Sequence, residues 1–101
     1  MKKNYFVYYA TEENAYEIEK SQPLTGQEAL QLAKSYIEEH APSEVEEAMK
    51  EINDFKEEGG TYEFEDDYKG YVMIVGIAPK GKLCNVIRTI NDYRKEIVGM
   101  F

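Results

Sequence analysis

The chain has 101 residues, of which 43% are hydrophobic, and it carries a formal net charge of −8. This length fits one domain spanning residues 1–101, and the apolar content is typical of a globular protein rather than of a disordered segment. The single cysteine, Cys84, excludes an intrachain disulfide, and the net negative charge disfavours direct binding to nucleic acid or to an anionic membrane.

The first residues are basic and then apolar, but the apolar run ends at Ala10. This run is too short for a signal peptide or a membrane span. We therefore expect a cytoplasmic protein, and the reducing cytosol also suits an unpaired thiol.

Two β-strands are predicted at the start of the chain. Residues 4–10 are aromatic and β-prone, which favours a strand. In residues 15–20, Tyr16 and Ile18 alternate with glutamates, as in a strand with one face exposed to water. The polar residues between the two segments predict a turn, so the pair is expected to form a hairpin.

Two helices are predicted next, each introduced by a capping box. Thr25 and Glu28 have the spacing of the first box, and the helix behind it should end before Pro42. Ser43 and Glu46 have the spacing of the second box. The apolar residues behind that box are spaced as on one helical face: Val45, Ala48, Met49, Ile52 and Phe55.

The last part of the chain predicts two more strands and a helix. Residues 61–65 alternate, whereas residues 71–78 are apolar on both faces and are expected to be a central strand. The spacing over 83–98 favours a helix, although its β-branched residues leave a strand as the alternative. The order ββααββα predicts an α+β fold, with an antiparallel sheet of about four strands and helices packed on one face.

The charge of the chain is concentrated in its middle third. Residues 38–67 carry a net charge of −11, whereas residues 68–101 carry +4. Within the middle segment, the polar side of the second predicted helix bears an acidic stripe at i, i+4, i+7 and i+11: Glu47, Glu51, Asp54 and Glu58. Four further acids follow the helix and would extend the stripe if they lay beside it: Glu63, Glu65, Asp66 and Asp67.

Like charges at this spacing destabilise a helix by a few tenths of a kcal/mol per pair, about 0.2–0.5. Two interpretations account for the acidic stripe. It is either a solvating surface, since net charge favours solubility, or a docking face for a basic partner.

No residue pattern predicts catalysis, a metal site or a cofactor. His40 and Cys84 are far apart in the sequence and neither lies in a motif, and a zinc site needs about four such ligands. Residues 65–76 lack the ligands of a calcium loop at two positions, since Lys69 and Gly76 stand there. The turn 79–82 places lysines before a predicted helix and leaves anion binding as an alternative to an ordinary turn.

Three hypotheses of function follow. The first is a non-enzymatic interaction protein that binds a basic protein surface, in its strongest form an inhibitor that mimics nucleic-acid phosphates. In composition alone, the chain resembles the small acidic inhibitors of phages and mobile elements, including anti-CRISPR proteins. The second is a small-ligand-binding domain with a tyrosine-lined pocket. The third is a structural or oligomerising domain in which residues 98–101 pack on a second copy.

An inhibitor that mimics nucleic-acid phosphates needs acidic side chains spaced about as closely as the phosphates. At a rise of about 1.5 Å per residue, the stripe has one charge per roughly 5.5 Å, whereas one DNA strand has a charge per about 3.4 Å. The helix alone is therefore too sparse, and the four acids at positions 63–67 would have to lie beside it.

Overall fold

Four antiparallel strands form one sheet in the computed structural model, which describes residues 2–14 and 17–98. The strands are β1 (Tyr5–Thr11), β2 (Glu19–Lys20), β3 (Gly60–Glu65) and β4 (Val72–Pro79). Their order across the sheet is β2-β1-β4-β3, so β1 and β4 are central. The register between these two strands runs from Tyr5 opposite Pro79 to Thr11 opposite Met73.

Three helices complete the fold, α1 (Gly26–His40), α2 (Val45–Phe55) and α3 (Leu83–Val98). Short 3-10 turns lie at Glu12–Asn14, Pro42–Glu44 and Lys80–Lys82. The predicted α+β class, the order ββααββα and the helix over 83–98 are confirmed. The second strand is shorter than predicted, and Tyr16 lies outside the described residues.

The capping box that begins α1 is present as predicted. The Thr25 hydroxyl accepts from the backbone N–H of Glu28 at 3.1 Å, and the Glu28 carboxylate accepts from the N–H of Thr25 at 2.9 Å. The helix ends at Ala41, whose φ of −143° leaves the helical region immediately before Pro42.

The capping box predicted at Ser43 does not form. The backbone N–H and the hydroxyl of Ser43 both donate to the carboxylate of Asp67, at 3.0 and 2.7 Å. The N-cap of α2 is Glu44, which makes no side-chain capping bond. A partner 24 residues away in the sequence therefore holds the hydroxyl that the local pattern assigned to the helix.

Helices cover both faces of the sheet, which differs from the expectation that all of them pack on one face. Val7, Tyr9 and Val75 point towards α1 and α2 and form one core with them. Tyr8 and Ile74, on the opposite face, pack against Val86 and Ile90 of α3. Because β4 is apolar on both faces, each face needs its own cover, and α3 supplies the second layer.

Close approach of α3 to the sheet depends on Gly76 in β4. A Cβ placed on Gly76 would overlap Cγ1 of Val86, which is fully buried in the α3 core. Glycine at this central position thus lets the helix lie close to the strand, at the cost of a weaker intrinsic strand preference.

We expect Gly76→Ala to destabilise the protein by about 1–3 kcal/mol, since the added methyl overpacks the contact with Val86. Urea unfolding of the two proteins measures the difference. Gly81→Ala is the matched control, because no atom lies within 4 Å of the methyl it would add. Equal unfolding midpoints for Gly76→Ala and Gly81→Ala would contradict the packing account.

Candidate functional site

The acidic stripe lies on the outer surface of α2 and in the turn behind it. Glu47, Glu51 and Asp54 are exposed on the helix, whereas Ala48 and Ile52 on the opposite side are buried. Glu58 is also exposed, but it lies beyond the helix, which ends at Phe55, so the structure does not place it on the helix as the sequence predicted. Among the described residues, none of these four acids takes part in a salt bridge.

Tyr62 shows which side of α2 carries the first two acids. Its hydroxyl donates to Oε2 of Glu44 at 2.8 Å. Burial raises the pKa of Tyr62, and so do this hydrogen bond and the charges of Glu44, Glu47 and Glu51. The stripe therefore begins on the flank of α2 that overhangs β3, the edge strand of the sheet.

Glu63 and Glu65 lie on the opposite face of the sheet from α2. In the register of β3 with β4, they stand opposite Ile74 and Val72, which belong to the α3 core. Tyr62 and Phe64, the alternate residues, face α2. The structure therefore does not place these two acids beside the helical stripe.

Asp66 and Asp67 lie in the β3–β4 turn and are engaged by neighbouring groups. Oδ1 of Asp66 accepts from the backbone N–H groups of Tyr68 and Lys69, both at 2.7 Å, and Oδ2 lies 3.2 Å from Nδ1 of His40. Asp67 accepts from Ser43, and its own N–H donates to the carbonyl of His40 at 2.8 Å. These acids attach the turn to the end of α1 and to the start of α2.

His40 and Cys84 lie at opposite ends of the sheet. His40 pairs with Asp66 next to the start of β4 and stacks on Tyr9, with ring centroids 6.0 Å apart. Cys84 lies in the first turn of α3, beyond the end of β4, and its thiol is exposed. The length of β4 separates them by roughly 20 Å, so they do not form a nucleophile–base pair. No cluster of three or more metal-ligating side chains occurs within 2–14 and 17–98.

The tyrosines of the strands are core residues rather than the lining of a pocket. Tyr8, Tyr9 and Tyr62 are buried, and Tyr9 stacks on Tyr36 with ring centroids 4.3 Å apart. The open groove between α1 and α2, about 1060 Å³ in volume, has Leu30 and Met49 among its lining residues and no tyrosine. The structure thus shows no tyrosine lining at this groove to support the small-ligand hypothesis.

The sequence patterns identify the acids of the turn after β3 but not Tyr68, which is 72% exposed. Its position in an acidic turn was visible in the sequence, but its exposure was not. The segment proposed to contact a second copy falls largely outside the described residues, which end at Val98.

No family model, curated protein or solved structure compared with the chain gives a significant match. Within the described part of the chain, none of the helices combines the length and the apolar character that crossing a bilayer requires.

The Asp66 contacts predict a specific acid sensitivity. The N–H groups of Lys69 and Tyr68, followed by His40, lower the pKa of Asp66, against the opposing effect of burial. An acid with a lowered pKa in the folded state stabilises the fold above its unfolded pKa of about 3.9, and this contribution is lost as the pH falls through the lower folded value.

We therefore expect Asp66→Asn to be less stable than the parent protein at pH 7 and to lose less stability than the parent on acidification below about pH 4. Urea unfolding at a series of pH values gives both quantities. Asp92→Asn, an exposed acid on α3, is the control for the change in charge. An Asp66→Asn curve parallel to that of the parent would contradict the assigned role.

Proposed function

We propose that this protein is a non-enzymatic interaction module and that the exposed acids of α2 dock a basic surface of another protein. The observation that carries the proposal is the contrast between two groups of acids. The carboxylates of Asp66 and Asp67 accept hydrogen bonds from other residues of the fold. In contrast, Glu47, Glu51 and Asp54 are exposed and join no described salt bridge.

The contribution of the α2 acids to the stability of the helix also supports a docking role for them. Like charges one turn apart destabilise α2 slightly, by about 0.2–0.5 kcal/mol per pair. The helix is held in place by its buried side, through Ala48 and Ile52. The carboxylates therefore add nothing to the packing of the fold, and they are available for a partner whose cations would offset their repulsion.

The arrangement of charge would also orient an approaching partner. Three exposed cations lie beyond the end of β4, in the turn before α3 and on α3 itself: Lys80, Lys82 and Arg88. One exposed cation, Lys50, lies on α2 among the acids. Because the acids of α2 outnumber this lysine, a basic partner is attracted to α2 and repelled from the start of α3, which favours one docking orientation.

The narrower hypothesis, an inhibitor that mimics nucleic-acid phosphates, receives less support from the geometry. It requires the later acids beside the helix, but Glu63 and Glu65 lie on the α3 side and Asp66 and Asp67 are engaged in the turn. The remaining stripe has about one charge per 5.5 Å, which is sparser than one DNA strand at about 3.4 Å. The proposed partner is accordingly a basic protein surface, of which a nucleic-acid-binding protein is one example.

The test is a triple reversal of the α2 acids, Glu47→Lys, Glu51→Lys and Asp54→Lys. We expect it to abolish capture of basic proteins from a host lysate while leaving stability within about 0.5 kcal/mol per substitution, because all three side chains are exposed. Captured proteins are quantified by mass spectrometry, and capture by the parent protein should weaken steeply between about 0.05 and 0.3 M salt.

The matched control reverses three exposed acids outside α2 whose carboxylates have no described salt bridge, Glu13→Lys, Glu17→Lys and Asp92→Lys. Glu12 is unsuitable for this purpose, because its carboxylate accepts from the N–H of Val72 at 3.1 Å. If both triple variants lose the same proteins to the same extent, net charge is responsible and the α2 face is not a docking surface. If neither variant loses them, the acids are only a solvating surface.

A further inference from the structure

Tyr68 is the most exposed large apolar side chain in the described part of the chain, and it stands in the turn between β3 and β4. A single exposed aromatic residue is ordinary on a protein surface. Tyr68 has two further properties: hydrogen bonds fix the backbone of its turn, and acidic residues precede it in the chain.

The turn that carries Tyr68 is closed by backbone hydrogen bonds on both sides. The N–H of Asp66 donates to the carbonyl of Tyr71 at 2.8 Å, and the N–H of Gly70 donates to the carbonyl of Asp66 at 3.0 Å. Gly70 has a φ of +74°, a conformation that side chains disfavour, so glycine lets the chain turn back into β4. The N–H of Tyr68 itself is bonded to the Asp66 carboxylate.

This turn is also fixed to the rest of the protein through Asp67, whose contacts reach His40 and Ser43. An aromatic side chain on a rigid backbone loses little conformational entropy when it is buried by a partner. Aromatic residues held in this way are frequent among the few side chains that dominate the binding free energy of an interface.

The surroundings of Tyr68 are acidic. Glu65, Asp66 and Asp67 precede it, and Asp67 is exposed and accepts only from neutral donors of Ser43 among its described contacts. The neighbouring Lys69 lies over the ring of Tyr71, 6.0 Å from its centroid. Among the described contacts, Tyr68 is engaged through its backbone N–H, and its side chain is exposed.

The turn adjoins the start of the α2 docking face. Ser43, which Asp67 holds, lies two residues before α2, and Glu47 is in the first turns of that helix. The turn that carries Tyr68 is therefore held at the N-terminal end of α2, where the acidic stripe begins with Glu47 and continues along the helix to Glu51 and Asp54.

We propose that Tyr68 is the aromatic anchor of this docking surface and that the partner contacts it through arginine side chains. This inference rests on the proposed function for the acids of α2 and adds the chemistry of the partner. Guanidinium pairs with carboxylates through two hydrogen bonds and also stacks on an aromatic face, whereas the ammonium of lysine is a strongly hydrated point charge. A surface that offers carboxylates and a tyrosine ring together selects arginine over lysine.

The experiment uses two fluorescent peptides of about eight residues, one of arginine and one of lysine, which carry the same charge. Affinities are measured by fluorescence anisotropy at about 0.1 M salt. For the parent protein we expect the arginine peptide to bind about two- to fivefold more tightly, the size of an exposed cation–π contact. Tyr68→Ala should reduce this preference to the part that the carboxylates supply, and Tyr68→Phe should retain it in full, since Phe keeps the ring face. Ile87→Ala, which alters a 36% exposed side chain on α3, should leave the preference unchanged.

Three outcomes would overturn the inference: equal affinities of the parent protein for the two peptides, an unchanged preference in Tyr68→Ala, or no binding of either peptide. The triple reversal of the α2 acids separates this inference from the proposed function. Loss of both peptides in that variant, with binding retained in the control triple variant, supports the acidic docking face whatever Tyr68 does. Undiminished binding of both peptides in the α2 triple variant defeats the docking face and, with it, the role of Tyr68 as its anchor.

Discussion

The rest of the fold depends on the burial of β4 from both sides. Its residues 73–78 are all buried, and successive side chains of a strand point to opposite faces of the sheet. An antiparallel sheet with one wet face could not accommodate this strand at its centre. The protein therefore has a layer of two helices on one face and α3 on the other, and Gly76 removes the side chain that would keep α3 away.

The turn between β3 and β4 has a second organising role, because it joins elements that are distant in the sequence. Asp66 contacts His40 at the end of α1, and Asp67 contacts Ser43 before α2. Two carboxylates thereby contact groups at helix boundaries and join them to the turn. The same contacts hold Tyr68 in a fixed backbone conformation at the surface.

The protein thus contains acids of two physical kinds. Those of the turn accept hydrogen bonds from the backbone and from side chains, and removing them would leave the donors of other elements unpaired. Those of α2 are exposed and repel one another mildly along the helix. The sheet separates most of this acidic surface from the exposed cations near α3, although Glu63 and Glu65 of the edge strand lie on the α3 side.

The sequence by itself determined the elements and their order, because these depend on short-range patterns. Thr25 and Glu28 are three residues apart and cap α1 within one turn, and the two-sided apolar run of β4 identified a central strand. Only the tertiary structure decided the side of the sheet that each helix covers, the partner of Ser43 and the exposure of Tyr68. These three features depend on contacts between residues far apart in the chain. A local pattern cannot specify which distant residue a side chain contacts after the helices pack on the sheet.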